Sequence, residues 1–169
     1  MKTTKRLTLA ALLTALALAL SYMERFIPFS LLIPLPGVKP GLANVVTLYA
    51  LIALDAPMAW TVLCARVFLG ALFAGNFSAL LYAATGGVFA LTVMILSLKT
   101  KRFSLYGVSM LGAAAHNTGQ TLAAYAVLGS SAVFGYLPLL LLTSLLMGSL
   151  TGLTASLLFR ATDAAGLSR

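Results

Sequence analysis

The chain has 169 residues, of which 61% are hydrophobic and only 8% are charged, and its mean hydropathy is +1.04. A soluble domain needs about a quarter to a third of its surface residues charged, so this composition excludes an ordinary soluble protein. The net charge of +8 does not indicate nucleic-acid binding, because the basic residues lie at the ends of apolar segments and not on one face.

Several apolar segments approach the length of about 20 residues that a helix needs to cross a bilayer. They predict six spans, at about 7–23, 41–54, 58–73, 79–98, 105–128 and 137–159. The expected fold class is therefore all-α, a polytopic integral membrane protein with six transmembrane helices in contact with lipid. The same count predicts a single transmembrane domain over residues 1–169.

The first span carries small residues at every fourth position, at Ala11, Ala15 and Ala19. In lipid such a stripe lets helices approach closely, so it is a candidate partner-binding face, with packing inside the bundle as the alternative. We expect this span to be an uncleaved helix and not a signal peptide, because the small residues of cleavage-site form, 17–19, lie within the apolar run.

The connection after the first span, 24–40, contains four prolines among apolar residues. Proline at this density precludes a regular helix, and we expect the segment to lie at the interface or to fold over the bundle as a lid. Lys39 precedes the predicted second helix and Asn44 lies in its first turn, where free backbone amides attract anions. An ordinary interfacial lysine is the alternative interpretation.

Arg66 lies in the middle of the third span, where an arginine costs about 2.5–3.5 kcal/mol on insertion scales and usually marks a site. The acidic residues Glu24, Asp55 and Asp163 lie at helix ends or beyond, so the sequence offers no acidic partner at comparable depth. A buried guanidinium needs a partner, which an anionic ligand, backbone carbonyls or lined-up amides would supply. A ligand role is one interpretation, and a snorkelling or carbonyl-bonded arginine that braces the bundle is the alternative. Asn76, at the end of this span, is a further candidate.

The fifth span contains three neutral polar residues, His116, Asn117 and Gln120. Positions 116 and 120 are one turn apart and share a face, and 117 lies about 100° round the helix from 116. At mid-membrane depth these groups must face the interior or a cavity. They are candidate ligand-binding residues, and an interhelical network with bonds of about 0.6–2 kcal/mol each is the alternative.

Three other sets of residues have a structural interpretation. Gly86-Gly87 predicts a soft break in the fourth span, and a small-residue stripe on the sixth span, with Gly148 and Gly152 at its centre, is expected to pack within the bundle. Aromatic residues near span ends fit the interfacial belt, with ring stacking on a ligand as the alternative. They are Tyr22, Tyr49, Trp60, Tyr82 and Tyr125.

The sequence lacks the motifs of an autonomous enzyme. It has no P-loop for ATP, no paired carboxylates for acid–base work and no acidic cluster that would hold magnesium against a diphosphate. The single histidine, His116, and the single cysteine, Cys64, do not build a zinc site. We therefore expect no enzymatic activity, no cofactor and no metal.

The basic residues predict the orientation. With six spans and a cytoplasmic N-terminus, eight of the eleven Lys and Arg residues fall inside, in agreement with the positive-inside rule. We therefore expect a multi-pass protein of the cell membrane with both termini in the cytoplasm. The eight are Lys2, Lys5, Arg6, Lys99, Lys101, Arg102, Arg160 and Arg169.

Four stretches resemble a known family: 36–48 (PGVKPGLANVVTL), Arg66 with the glycines that follow it, Gly86-Gly87, and 112–120 (GAAAHNTGQ). Together they are similar to the Gx transporter family, whose members are often labelled heptaprenyl diphosphate synthase component I. The resemblance covers nearly the whole chain. It implies a relationship to the substrate-binding S components of energy-coupling-factor (ECF) importers.

The resemblance implies a six-helix bundle that captures a vitamin or other micronutrient outside and docks on a transmembrane T component with two ATPases. The alanine stripe of the first helix would contact the T component, the connection after it would cover the ligand, and the partners would hydrolyse ATP. Arg66 would bind negative charge and the polar residues of the fifth span would bind polar atoms. Lys39 and Asn44 would close the outer side.

Two other functions remain open. The label suggests a non-catalytic membrane accessory of a heptaprenyl diphosphate synthase, which cannot be the catalytic subunit because the chain's two aspartates, Asp55 and Asp163, lie far apart. The other is a stand-alone small-molecule carrier that uses the same polar interior.

Overall fold

The computed structural model describes residues 3–26, 41–75 and 77–164, apart from the side chains of Arg25 and Ala164. Over these residues the chain forms six α-helices and two short 3-10 helices, Glu24–Phe26 and Ser131–Tyr136, and no strand. The predicted all-α fold class is confirmed. The helices are α1 (Thr3–Met23), α2 (Asn44–Ala53), α3 (Ala56–Ala74), α4 (Phe77–Thr100), α5 (Leu105–Leu128) and α6 (Leu137–Ala164).

Four of the described helical segments are long and apolar enough to cross a membrane: α1, α3, α4 and the segment 131–163 that contains most of α6. The second predicted span corresponds to α2, which has only 10 residues and is half the length that a bilayer requires. α5 is 24 residues long, but its polar side chains lower its hydropathy. The chain is thus a helical membrane bundle.

The α4–α6 half of the bundle is packed backbone against backbone. A Cβ atom at Gly148 of α6 would lie 2.5 Å from the Met110 Cα atom, and one at Gly119 of α5 would lie 2.7 Å from the Thr85 carbonyl oxygen of α4. Buried Ser109 and Thr151 hydroxyls add a 2.5 Å hydrogen bond between α5 and α6. The prediction that the glycines of the sixth span pack within the bundle is confirmed.

α4 runs unbroken from Phe77 to Thr100, so the soft break predicted at Gly86-Gly87 was wrong. In a membrane the backbone has no water to bond, which favours an intact helix even at glycine. These glycines instead leave room for side chains of neighbouring helices. A Cβ at Gly86 would lie 2.7 Å from His116, and one at Gly87 would lie 2.5 Å from Leu63.

The α1–α3 half is joined by side chains. Among the described helices, α1 packs on α2, on α3 and on the 3-10 helix that follows it. Its buried face carries Ala10, Leu13 and Ala17, which belong to the same apolar cluster as Val62 and Leu63 of α3. The opposite face of α1 is exposed, and it is the face that carries the stripe Ala11, Ala15 and Ala19.

Candidate ligand-binding site

A cavity of about 100 Å³ lies where α1 and α3 end and α4 begins, and the middle of α5 closes its inner side. Most of its lining is apolar, as is usual for small-molecule sites, which add a few placed polar groups to an apolar wall. The polar and charged side chains that line it are Tyr22, Glu24, Arg66, Tyr82, His116 and Gln120. The described residues contain no group of metal-ligating side chains.

Arg66 lies in this cavity and is 7% exposed. Its Nη2 atom donates a 3.3 Å hydrogen bond to Oδ1 of Asn44 on α2. Its Nε atom is buried and has no hydrogen-bond partner among the described residues. A buried N–H without an acceptor costs about 1–3 kcal/mol, so an acceptor supplied by a ligand would remove this cost.

Glu24 corrects the expectation that Arg66 has no acidic neighbour. The residue follows α1 in the 3-10 helix Glu24–Phe26, is 4% exposed and lines the same cavity as Arg66. Its carboxylate accepts a hydrogen bond from the backbone N–H of Leu42 and interacts electrostatically with Arg66. The change of helix type after Met23 brings this carboxylate inside, which distance along the sequence does not reveal.

His116 and Gln120 both face the cavity from α5, as their spacing of one turn predicts. The imidazole lies between two glycines: a Cβ at Gly41 would be 3.2 Å from its Cδ2 atom, and one at Gly86 would be 2.7 Å from its Cε1 atom. Gly41 has a φ of +81°, which glycine adopts without strain. The glycines of two well-separated segments therefore make room for the histidine.

Asn117 points away from this group, toward α6. It is buried, and its Nδ2 atom donates a 2.7 Å hydrogen bond to the Leu140 carbonyl oxygen. It does not line the cavity, so the structure places it in the interhelical arrangement that was the alternative to ligand binding. Of the other candidates, Asn44 supports Arg66 as described, and Lys39 and Asn76 lie outside the described residues.

Tyr82 is a residue that sequence reasoning assigned to the interfacial belt. The structure buries it to 3% exposure in the cavity wall, and its hydroxyl has no hydrogen-bond partner among the described residues. Tyr49 is also buried and stacks on Phe159 of α6, with ring centroids 4.7 Å apart. One signal was available for Tyr82: it lies one turn before Gly86 on α4, on the same face as the glycine that admits His116.

The long apolar helices of this bundle define a helical membrane protein. The family described as heptaprenyl diphosphate synthase component I, the Gx transporter family, matches residues 13–158, and the chain belongs to it. The predicted resemblance is confirmed. Comparison with curated proteins and with solved structures finds no match.

Proposed function

We propose that the protein is the substrate-binding S component of an ECF-type importer. In this proposal it captures a small vitamin-like micronutrient outside the cell and docks on a T component with ATPase subunits. The observation that carries the proposal is the cavity of about 100 Å³ lined by the buried Arg66, whose Nε atom has no hydrogen-bond partner among the described residues. A buried charge inside a membrane protein is a site by default.

The position of the cavity supports capture from outside. It lies at the end of the bundle where α1 and α3 finish. Basic residues lie at the other end, at the start of α1 with Lys5 and at the end of α4 with Lys99. By the positive-inside rule, we propose that the cavity opens on the outer side of the cell membrane and that both termini lie in the cytoplasm.

The exposed face of α1 supports docking on a partner. Ala11, Ala15 and Ala19 all lie on this face, while the opposite face packs on the bundle. Among the described elements α1 contacts only α2, α3 and the 3-10 helix that follows it. A small-residue stripe on its other face leaves the backbone open to close approach by another helix. We propose this face as the T-component contact.

The protein would itself be non-catalytic, with ATP hydrolysis in its partners. The family's description favours a second candidate, a membrane accessory of a heptaprenyl diphosphate synthase. One feature weighs against a prenyl diphosphate in the cavity: the carboxylate of Glu24 lines it and would oppose a diphosphate.

The test is affinity purification of the tagged protein from its host's membranes in mild detergent, with mass spectrometry of the proteins that accompany it. Recovery of a T component and ATPases supports the importer. A soluble prenyl synthase subunit in their place would support the accessory function and overturn the importer, and a protein recovered alone would favour a stand-alone carrier.

A pair of variants locates the contact. Ala15→Phe adds bulk to the proposed docking face of α1 and should remove the T component from the purified sample. Cys64→Phe adds the same ring at an exposed position of α3 and should leave the complex intact. Equal recovery with both variants would exclude the alanine face as the contact.

A further inference from the structure

Gly86 of α4 lies behind the two residues that α5 contributes to the cavity. A Cβ atom at this position would lie 2.7 Å from Cε1 and 2.8 Å from Nδ1 of His116, and 3.1 Å from Cγ of Gln120. His116 and Gln120 line the cavity, whereas Gly86 does not. The missing side chain at position 86 therefore makes room for both site residues from outside the cavity.

The imidazole of His116 is also confined on the side away from Gly86. A Cβ atom at Gly41 would lie 3.2 Å from Cδ2 and 3.5 Å from Nε2 of the ring. These two ring atoms lie across the imidazole from the Nδ1–Cε1 bond that faces Gly86. The ring is therefore held between the backbones of two glycines.

The turn that contains Gly41 is fixed by its own contacts. The backbone N–H of Asn44 donates a 2.9 Å hydrogen bond to the Gly41 carbonyl oxygen. The Leu42 N–H donates to the carboxylate of Glu24, and the Asn44 side chain accepts from Arg66. The helix α2 that follows is buried over its first seven residues and contacts each of the five other helices. This side of the imidazole is therefore a rigid wall.

The cavity borders the imidazole on a further side. Protein interiors are close-packed and transmit strain, so a side chain added at position 86 would push His116 and Gln120 toward the cavity. We propose that Gly86 is a positioning residue that sets the space available to the ligand, because it lets His116 and Gln120 withdraw from the cavity. This inference rests on the proposed function only in taking the cavity as the ligand site.

The position of the imidazole can be followed directly, because His116 is the single histidine of the chain. In protein with ¹³C-labelled histidine and no histidine tag, Gly86→Ala should shift the NMR signals of the imidazole C–H groups. Gly112→Ala is the matched control in the same pair of helices, since its Cβ would lie 2.3 Å from Cε of Met94 and neither residue lines the cavity. Methionine adapts its shape, so this variant should leave the signals close to those of the wild type.

Two amides of different size measure the effect on binding. Benzamide carries a ring and acetamide only a methyl group, and ligand-detected NMR on the protein in detergent gives both affinities. Gly86→Ala should weaken benzamide binding by at least about tenfold, the lower end of what one methylene in a pocket changes. Acetamide needs less space and should lose less, and Gly112→Ala should leave both affinities unchanged.

Truncation of the histidine tests whether Gly86 acts through it. In a His116→Ala background, Gly86→Ala no longer meets the imidazole and should weaken benzamide binding less than it does in the wild type. Unshifted imidazole signals, an equal loss for the two amides, or no benzamide binding by the wild type would each overturn the proposal. If Gly86→Ala does not fold, the double variant should fold, and its failure to do so would contradict the proposal.

The outcomes also separate this inference from the proposed function. Unchanged affinities in Gly86→Ala together with a recovered T component would overturn the role of Gly86 and leave the importer in place. A selective loss of benzamide binding in a protein that recovers no T component would do the reverse.

Discussion

The two halves of the bundle differ in how they are held together and in what they bring to the cavity. In the α4–α6 half, glycines bring backbones into contact. In the α1–α3 half, contacts are between side chains, and a Cβ at Gly70 of α3 would meet Leu18 of α1 at an ordinary 3.6 Å. The neutral site residues His116 and Gln120 belong to the α4–α6 half. The charged residues Glu24 and Arg66 belong to the α1–α3 half. The tightly packed α4–α6 half therefore holds the neutral site residues in fixed positions, and the α1–α3 half supplies the charged residues of the cavity.

The largest expected effect is a difference in stability between two glycine-to-alanine variants, one in each half. Gly148→Ala would place its Cβ 2.5 Å from the Met110 Cα atom, and because backbone cannot move aside, we expect a loss of about 1–3 kcal/mol from overpacking. The matched change Gly70→Ala meets only the end of a leucine side chain and should be close to neutral. Apparent melting temperatures in detergent measure both, and equal losses would contradict the difference between the halves.

Removing Arg66 tests its role in binding. The probe is benzamide, a small ring with a carbonyl acceptor, and ligand-detected NMR on the protein in detergent measures its binding. Arg66→Met should weaken benzamide binding by about 1.5–3 kcal/mol, the usual worth of a hydrogen bond to a charged group, and leave folded protein in the membrane. The variant also leaves Asn44 without the donor it has in the structure, so a modest fall in melting temperature is expected. A loss of folded protein as large as the loss of binding would instead show that Arg66 braces the bundle.

Tyr82→Phe is the companion change to Arg66→Met. The Tyr82 hydroxyl is buried without a partner among the described residues, so its removal should leave stability unchanged or slightly improved. Benzamide binding should fall by about 0.5–1.5 kcal/mol if the ligand accepts its hydrogen bond. Stability that falls with unchanged binding would assign the hydroxyl to the fold.

Variants of Asn117 and Gln120, which both lie on α5, should affect different quantities: the first mainly the stability of the fold, the second mainly ligand binding. Asn117→Ala removes the 2.7 Å hydrogen bond to the Leu140 carbonyl and should cost about 0.6–2 kcal/mol of stability while benzamide still binds. Gln120→Ala, at a cavity position, should weaken binding more than it lowers the melting temperature. The reverse pattern would return Asn117 to the ligand site.

The sequence was informative where a residue's position on its helix determines its surroundings. Arg66, His116 and Gln120 meet in one cavity, and the cost of burying such groups in a membrane was enough to predict this. The position of Glu24 in the cavity was not predicted, because its depth depends on a 3-10 helix after α1 and hydropathy does not encode local turn geometry. The burial of Tyr82 was not predicted, because an interfacial tyrosine and a buried tyrosine look the same in the sequence. The direction of Asn117 depends on which side of α5 receives α6, a tertiary fact that a single helix cannot specify.

The smallest expected effect lies at the opposite end of the bundle from the cavity, at the start of α3. The Asp55 side chain accepts a 2.9 Å hydrogen bond from the Met58 N–H and pairs with Arg6 of α1. These contacts, the Met58 N–H first, hold the pKa of Asp55 below its ordinary value. A carboxylate with a lowered pKa stabilises the fold above its ordinary pKa, and this stability is lost as pH falls through the lowered value.

Both partners of this pair are partly exposed, so the pair itself contributes at most about 1 kcal/mol. Asp55→Asn keeps an acceptor for Met58 and loses the ion pair, so its melting temperature should fall slightly at neutral pH and converge with that of the wild type under acid. Asp55→Ala loses the helix cap as well and should cost more, about 0.5–2 kcal/mol in total. If Asp55→Asn remained below the wild type by the same margin at every pH, the effect would come from packing and not from charge, and α1 would be held to α3 by apolar contacts alone.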